Sequence, residues 1–278
     1  MNIHITDIPV TFTDGEDLDV DVKKKLNKGI LYENKVKAVV KSTARGIKQF
    51  SLSTVEGGGN KNDVADLYIN VNRQRYGVEI KLDARAPLGQ AAKVKFNGSV
   101  FSIGKSGEFS VDDALGRSII EQLNSKKTAA KDFLNFIKTY PPKEYHSKVD
   151  GFPVMCILDA WEAAKEKGLL KNMNAALKAP LTVVYDYYSN KGVDYIQIGG
   201  AGLFYMKNNP LDLPIPQLQG QVNIEMRLKS AGGKPRVGLG ITVCTGSISA
   251  SPRLATRNKS PYSLDNKEHL IALFSKES

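Results

Sequence analysis

The stretch DVADLYINVNRQRYGVEIKLDARAPLGQ, residues 63–90, decides the fold and the function that we expect of this chain. Its segments 64–72 and 76–83 are rich in β formers and flank the turn NRQR, which predicts two neighbouring strands. Side chains of a strand alternate between its two faces. The alternation therefore predicts that Asp66, Glu79 and Lys81 lie side by side, away from the apolar residues of both strands.

These three residue types predict a metal site. Two carboxylates a few ångströms apart resist ionisation unless a cation lies between them. Oxygen ligands of this kind suit Mg²⁺. A lysine beside the metal can orient or deprotonate a water molecule, or stabilise the charge that develops on a phosphate.

A helical pattern precedes the strands, from residue 22 to residue 41. Its apolar residues are Leu26, Ile30, Val36 and Val40. Glu33 lies within this stripe, where a carboxylate is costly unless another group pairs with it. Two interpretations remain open. Glu33 reaches the same metal site, or it lies at the edge of the stripe with its carboxylate in water.

The remainder of the chain predicts one mixed domain of the α/β or α+β class. We expect a further strand at 47–55 and a hairpin turning at Asn97-Gly98. Helices are expected within 111–140, at about 153–168 and at 170–178. Strands follow from LTVVYDYYS (181–189) onward, with a loop-like basic tail at 247–263. The expected subdivision is a catalytic core at about 22–104, a helical insertion at about 105–180, and accessory strands with a basic loop at about 181–278.

Composition points to a polyanionic partner and an intracellular setting. The 278 residues carry a formal net charge of +10, which favours nucleic acid as the partner. No run of about 18 apolar residues occurs, and the N-terminus lacks the pattern of a signal peptide. Cys156 and Cys244 are expected to be reduced, buried thiols. We therefore expect a cytoplasmic protein without a membrane segment.

Two basic regions are candidates for holding that partner. Residues 126–148 carry six lysines and two acids, which is also the pattern of a solvated helical face. Residues 251–259 carry Arg253, Arg257 and Lys259 without an acid. A flexible loop of this kind could contact phosphates or guanine edges in the major groove, or it could be a disordered basic tail.

The order of these acids resembles the PD-(D/E)XK nuclease superfamily, which includes many restriction endonucleases and repair nucleases. That family has a helix with an acid, a strand with a metal-binding Asp, and a strand with (D/E)-x-K. Here the matches are Glu33 in LYENKVKAVV, Asp66 in VADLYIN, Glu79-Ile80-Lys81 in GVEIKLD, and a downstream glutamine, Gln90. The resemblance covers about residues 25–95. It departs from the family where Ala65, and not proline, precedes Asp66.

The resemblance implies a restriction-endonuclease-like core, a central mixed sheet flanked by helices. It implies that Asp66, Glu79 and the Ile80 carbonyl bind one or two Mg²⁺ ions, for which Mn²⁺ can substitute. Lys81 would position or activate the attacking water, and Glu33 would bind a second metal or a metal-bound water. Gln90 completes the implied catalytic set. Cleavage would leave a 5′-phosphate and a 3′-hydroxyl.

The expected function is therefore a Mg²⁺-dependent DNA endonuclease. A site-specific, type II restriction-like enzyme is the first expectation, because two-thirds of the chain lies outside the catalytic core. Such an enzyme acts on double-stranded DNA and is often a C2 homodimer. The alternatives are a structure-specific nuclease of recombination, repair or phage DNA processing, and a non-catalytic nucleic-acid-binding protein that kept the nuclease fold.

Overall fold

The fold is that of a computed structural model, which describes residues 27–46, 50–53, 65–103, 109–142, 146, 149–236 and 241–275. The helices in these ranges are α1 (Lys28–Ala44), α2 (Ala114–Asn124), α3 (Lys127–Thr139), α4 (Leu158–Glu166), α5 (Leu169–Met173), α6 (Thr182–Ser189) and α7 (Lys267–Phe274). The strands are β1 (Phe50–Ser53), β2 (Leu67–Val71), β3 (Gln74–Lys81), β4 (Ala92–Phe96), β5 (Phe101–Ile103), β6 (Val154–Ile157), β7 (Ala175–Pro180), β8 (Val193–Ile198), β9 (Gly202–Tyr205), β10 (Gly220–Arg236) and β11 (Ile241–Thr256).

The first sheet, sheet A, is mixed. Its described strands follow the order β1-β2-β3-β8-β9. β3 pairs antiparallel with β2 and parallel with β8. The β2–β3 turn is made by Asn72 and Arg73, both at positive φ, a conformation that asparagine tolerates better than most residues. The parallel pairing requires a long connection between β3 and β8, and that connection carries much of the second sheet.

The second sheet, sheet B, is antiparallel and is built on a long hairpin. Its described strands follow the order β5-β4-β11-β10-β7, with β6 also paired to β11. β10 and β11 have 17 and 16 residues. Cys156 and Cys244 face each other on β6 and β11, both buried and free, with their sulfur atoms 3.7 Å apart.

The described residues form two hydrophobic clusters, and both sheets contribute to the larger one. One face of sheet A packs against α1 and α7 through residues such as Val36, Val78 and Leu270. The other face contributes Ile196 and Phe204 to a larger cluster, which also contains α2, α6 and the inward side chains of sheet B. α6 contacts both β8 and β7, so this helix lies between the two sheets. Within the described ranges, no helix of this cluster lies on the second face of sheet B.

The mixed α+β class is confirmed, and so are the β2 and β3 strands and the hairpin at Asn97-Gly98. The strand predicted for LTVVYDYYS is wrong, because most of this segment is α6. Its buried residues Val184, Tyr187 and Tyr188 have helical spacing. Residues 170–178 are also not one helix, since α5 ends at Met173 and β7 begins at Ala175.

The loop predicted for residues 247–263 is wrong for its first part, which belongs to β11. Small polar residues alternate there with buried Ile248, Ala250 and Leu254, and this alternation is the pattern of a strand with one buried face. Leu26 and most of the predicted 47–55 strand lie outside the described residues.

The predicted subdivision does not correspond to the two sheets. Sheet A takes strands from both sides of the segment 105–180, while β4 and β5, placed in the predicted core 22–104, belong to sheet B. The segment 105–180 itself contains β6 and β7 in addition to helices. Among the described residues, no helix has the length and apolar content needed to cross a membrane.

Candidate active site

The pairing of β2 with β3 brings the two predicted carboxylates together. Leu67 pairs with Val78, so Asp66, the residue before β2, lies opposite Glu79. Leu67 and Val78 are fully buried against α1 and α7, which fixes the register and turns the acids away from that face. The N–H of Ile80 donates a hydrogen bond of 2.8 Å to Oδ2 of Asp66.

The environment of Asp66 opposes its ionisation. Burial, followed by the charge of Glu79, raises the pKa of Asp66 from 3.8 to about 7. The ammonium of Lys81 and the hydrogen bond from Ile80 act in the opposite direction, and the charge of Glu33 adds to the increase. A cation bound between these carboxylates would favour the ionised form of Asp66.

Glu79 and Lys81 are held close together on β3. The side chains are 12% and 13% exposed, and Nζ of Lys81 lies 2.5 Å from Oε1 of Glu79. The hydroxyl of Tyr188, on α6, lies 3.2 Å from the same carboxylate oxygen and donates to the carbonyl of Leu88 at 2.7 Å. The sequence does not indicate Tyr188, because the aromatic and β-branched residues of this segment predict a strand. The helical spacing of the buried residues of α6 was the available signal.

Glu33 approaches the site from α1. Its carboxylate contacts Lys37, one turn further along the helix, and its side chain is 23% exposed. Ile30, one turn earlier, is 47% exposed, so the apolar stripe of α1 is narrower than its sequence indicates. Glu33 therefore lies at the edge of the stripe and also close enough to Asp66 to raise the pKa of that residue. The two interpretations of Glu33 are compatible.

A cavity of about 410 Å³ opens at the carboxyl end of β3. Glu33, Asp66, Ile80 and Lys81 line it together with two arginines, Arg85 and Arg253. Nη1 of Arg253 donates to the carbonyl of Arg85 at 3.0 Å, which ties β11 to the segment that follows β3. Arg85 was not singled out from the sequence, where nothing in its spacing marks it.

The remaining predicted residues occupy different places. Glu79 is next to the cavity but does not line it, and Gln90 is exposed and lies between β3 and β4, on no helix. Arg257 and Lys259 line a neighbouring cavity of about 320 Å³, which shares Asp83 and Arg85 with the first. The structure thus brings Glu33, Asp66, Ile80, Lys81 and Arg253 to one cavity, with Glu79 beside it.

The donor atoms of this site are of the kind that Mg²⁺ prefers. Carboxylate and carbonyl oxygens of Asp66, Glu79 and Ile80 suit a hard cation that keeps several waters and takes one or two carboxylates from the protein. Over the described ranges, no three His, Cys, Asp or Glu residues form a ready metal-binding cluster. Glu33 and Glu79 instead contact Lys37 and Lys81. A metal would therefore compete with two lysines for these acids.

Comparison of the chain with protein-family models, curated proteins and solved structures gave no match. Its function is therefore inferred from the residues of the site.

Proposed function

We propose that this protein is a Mg²⁺-dependent endonuclease that hydrolyses phosphodiester bonds in double-stranded DNA. The observation that carries this proposal is the arrangement of Asp66 opposite Glu79, with Lys81 against Glu79 and a cavity in front of Asp66. Two carboxylates, a lysine and a hard-cation donor set are the groups that metal-assisted phosphate chemistry requires.

The order of the elements supports a restriction-endonuclease-like core. A helix with Glu33 precedes a strand that begins next to Asp66, and the following strand carries Glu79-Ile80-Lys81. These elements belong to a mixed sheet with helices on both faces. This is the arrangement that the resemblance to PD-(D/E)XK nucleases implies for residues 25–95.

In this proposal, each residue of the site has one task. Asp66, Glu79 and the Ile80 carbonyl hold Mg²⁺, which when bound lowers the pKa of water and stabilises negative charge on a phosphate. Lys81 positions or activates the water that attacks in line with the leaving 3′ oxygen. Glu33 orients a second cation or its water. The products carry a 5′-phosphate and a 3′-hydroxyl.

The cations around the cavity support an anionic substrate. Arg85 and Arg253 line the cavity itself, and Arg257 and Lys259 line its neighbour. Backbone phosphates on either side of the scissile bond are the groups that these side chains suit. We further propose a site-specific enzyme that acts as a homodimer, since a C2 dimer matches the symmetry of a palindromic site.

A second candidate function is non-catalytic binding of nucleic acid. The observation that favours it is the contact of Glu79 with Lys81 and of Glu33 with Lys37, because each acid already has a cationic partner. In such a protein the basic surroundings would hold DNA and no bond would be cleaved.

Incubation with plasmid in Mg²⁺ and in EDTA separates the two functions. Wild-type protein is expected to cleave with Mg²⁺ and not with EDTA. Lys81→Met should abolish cleavage, while Lys207→Met, which removes an exposed lysine paired with Asp186, should not. Discrete fragments support a site-specific enzyme, and cleavage of branched DNA alone supports a structure-specific one. Binding without metal-dependent cleavage of any duplex, single-stranded or branched substrate contradicts the nuclease.

A further inference from the structure

We propose that the open face of sheet B holds one phosphodiester backbone of duplex DNA and directs it to the candidate active site. The open face is the set of outward residues on β4, β7, β10 and β11. This inference deepens the proposed nuclease function and rests on it for the role of the cavity. It concerns a surface that lies outside the Asp66–Glu79 site.

The two faces of sheet B differ sharply in burial. On β10, Val222, Ile224, Met226 and Leu228 are buried, and the residues between them are partly or fully exposed. β11 shows the same alternation. The buried set belongs to the core cluster that contains α2, α4 and α6. The helices therefore cover one face, and the outward side chains of the other face are accessible.

The charge of the open face is predominantly positive. Over the described strands of sheet B, its one outward acid is Glu225, which contacts Arg227 and Arg253 at 3.0 Å each. Its basic residues are Lys93, Lys95, Lys178, Arg227, Lys229 and Arg253. The sequence shows the same bias, since residues 226–264 contain seven Lys and Arg and no Asp or Glu.

The strand register arranges these cations in two rows with a low channel between them. Ser249 of β11 pairs with Arg227 of β10 on one side and with Lys93 of β4 on the other. Ser247, two residues earlier on β11, pairs with Lys229 of β10. Strands lie about 4.8 Å apart, so the lysines of β4 and the cations of β10 are about 10 Å apart across the serines.

This channel fits a phosphodiester backbone. Serine hydroxyls and N⁺–H groups are frequent donors to phosphate oxygens, and the small serine side chains allow a backbone to approach the sheet. From Ser247 to Arg253 the outward face of β11 is about 20 Å long, a length over which one strand of duplex DNA presents about six charges.

The channel ends at the candidate active site. Arg253 of β11 pairs with Asn223 of β10, which pairs in turn with Lys178 of β7. These three residues lie near one end of the open face. The same arginine lines the cavity that contains Asp66 and Lys81. A backbone that follows β11 from Ser247 therefore reaches the cavity after passing Glu225, which lies opposite Ser251 and is paired with Arg227 and Arg253.

The chemistry of the open face favours DNA over a protein partner. The outward positions of β4, of β10 up to Lys229, and of β11 from Thr245 to Ala255 carry no large apolar side chain. Exposed Met155 of β6 pairs with Thr245, at the end of this stretch away from the cavity. Protein interfaces have aromatic and apolar residues at their centre. Interfaces with DNA are more polar and far more positive. The open face matches the second description.

Binding of a short fluorescent duplex in EDTA tests this surface without requiring cleavage. The double variant Lys93→Glu/Lys95→Glu is expected to weaken binding tenfold or more. It should also reduce the slope of log Kd against log salt by about 2, because two phosphate contacts are lost. Ser249→Glu, which places a carboxylate in the channel, should weaken binding as well.

The matched control is Lys165→Glu/Lys171→Glu, which changes the net charge by the same amount on α4 and α5, in the helical layer over the other face. It should bind as wild type does, and circular dichroism should show that all variants are folded. Equal weakening by both double variants, tighter binding of single-stranded DNA or RNA than of duplex, or no binding of duplex by wild type would overturn the proposal. Duplex binding that depends on this face, without Mg²⁺-dependent cleavage, would leave the surface standing and remove the nuclease function.

Discussion

Asp66 is the residue of the candidate site whose surroundings oppose a charged side chain most strongly. It accepts a hydrogen bond from Ile80, faces Glu79 and lies near Glu33, and most of its surface is buried. A carboxylate in such a place destabilises the fold when it is ionised and no cation is present. Metal binding and folding are therefore coupled at this residue.

The first prediction concerns stability and pH in EDTA. The folded-state pKa of Asp66, about 7, lies above the ordinary value of 3.8, so the folded protein retains a proton that the unfolded chain releases. The stability that this group contributes therefore decreases as pH rises from about 4 to about 7, by about 4 kcal/mol. Asp66→Asn removes this decrease and should unfold at higher urea concentration than wild type at pH 8. Equal midpoints at pH 8 would contradict the prediction.

The second prediction concerns Mg²⁺ without substrate. At pH 8, Mg²⁺ should raise the melting temperature of the wild type, because it binds the folded state only and relieves the repulsion between Asp66 and Glu79. Asp66→Asn should lose this shift. The control is Asp194→Asn, since Asp194 also accepts an N–H from β3, at Gly77, but does not line the cavity. An equal shift in all three proteins would place the metal elsewhere.

At the scale of elements, β3 organises the site. It holds Glu79 and Lys81, and it pairs with β2 on one side and β8 on the other. Gly77 of β3 approaches the backbone of residue Gly192 so closely that an added Cβ would lie 2.2 Å from the Gly192 carbonyl oxygen. The β3–β8 pairing therefore requires glycine at this position.

The third prediction follows from this close approach. Gly77→Ala should destabilise the protein by about 1–3 kcal/mol, because the backbone must shift to admit the methyl group. Gly46→Ala is the control, since its Cβ would make only an ordinary contact of 3.5 Å. Urea unfolding measures both. A Gly77→Ala variant as stable as Gly46→Ala would show that β3 and β8 do not pair closely at Gly77.

The fourth prediction concerns α6. Tyr188→Phe removes a buried hydroxyl that donates to the Leu88 carbonyl and lies next to Glu79. The free energy of unfolding should therefore fall by about 1–2 kcal/mol, and cleavage should be slower. Tyr187→Phe, next to it on the same helix, removes a hydroxyl that accepts from Lys191 and should leave the cleavage rate unchanged. Unfolding curves and cleavage rates of both variants provide the measurement. Equal rates for the two variants would contradict a role for Tyr188 at the site.

The sequence predicts the placement of Asp66 opposite Glu79 better than it predicts the elements around them. Alternation along two strands places Asp66 against Glu79, because a strand has only two faces. The same alternation does not identify α6. Its aromatic residues are typical of a strand, but their burial against the core favours a helix. The alternation also does not show that Arg253 reaches the cavity, since that contact depends on how β11 passes the segment after β3.

At the scale of the whole molecule, the basic residues behind the net charge of +10 are not spread evenly over the surface. Cations are concentrated along the open face of sheet B and around the cavity at the end of β3. Composition alone predicts the polyanion, whereas the strand register is needed to locate these cations on one surface. Both sheets contribute to the larger core cluster, and Arg253 of β11 belongs both to this surface and to the cavity.

The fifth prediction is the state of assembly on DNA. If the protein cuts both strands of a palindromic site, sedimentation of the protein with a duplex containing that site should give a complex with two chains. Calcium in place of magnesium would be used to prevent cleavage. A complex with a single chain that still cuts both strands would contradict the homodimer.

The most direct measurement is the single-turnover rate of DNA cleavage at saturating Mg²⁺ for wild type, Asp66→Asn and Asp194→Asn. Both variants remove a partly buried carboxylate that accepts an N–H from β3, but only Asp66 lies in the cavity. We expect Asp66→Asn to lose at least about a hundredfold in rate. Asp194→Asn should keep the wild-type rate. Cleavage by Asp66→Asn at the wild-type rate would show that the chemistry does not occur at this site.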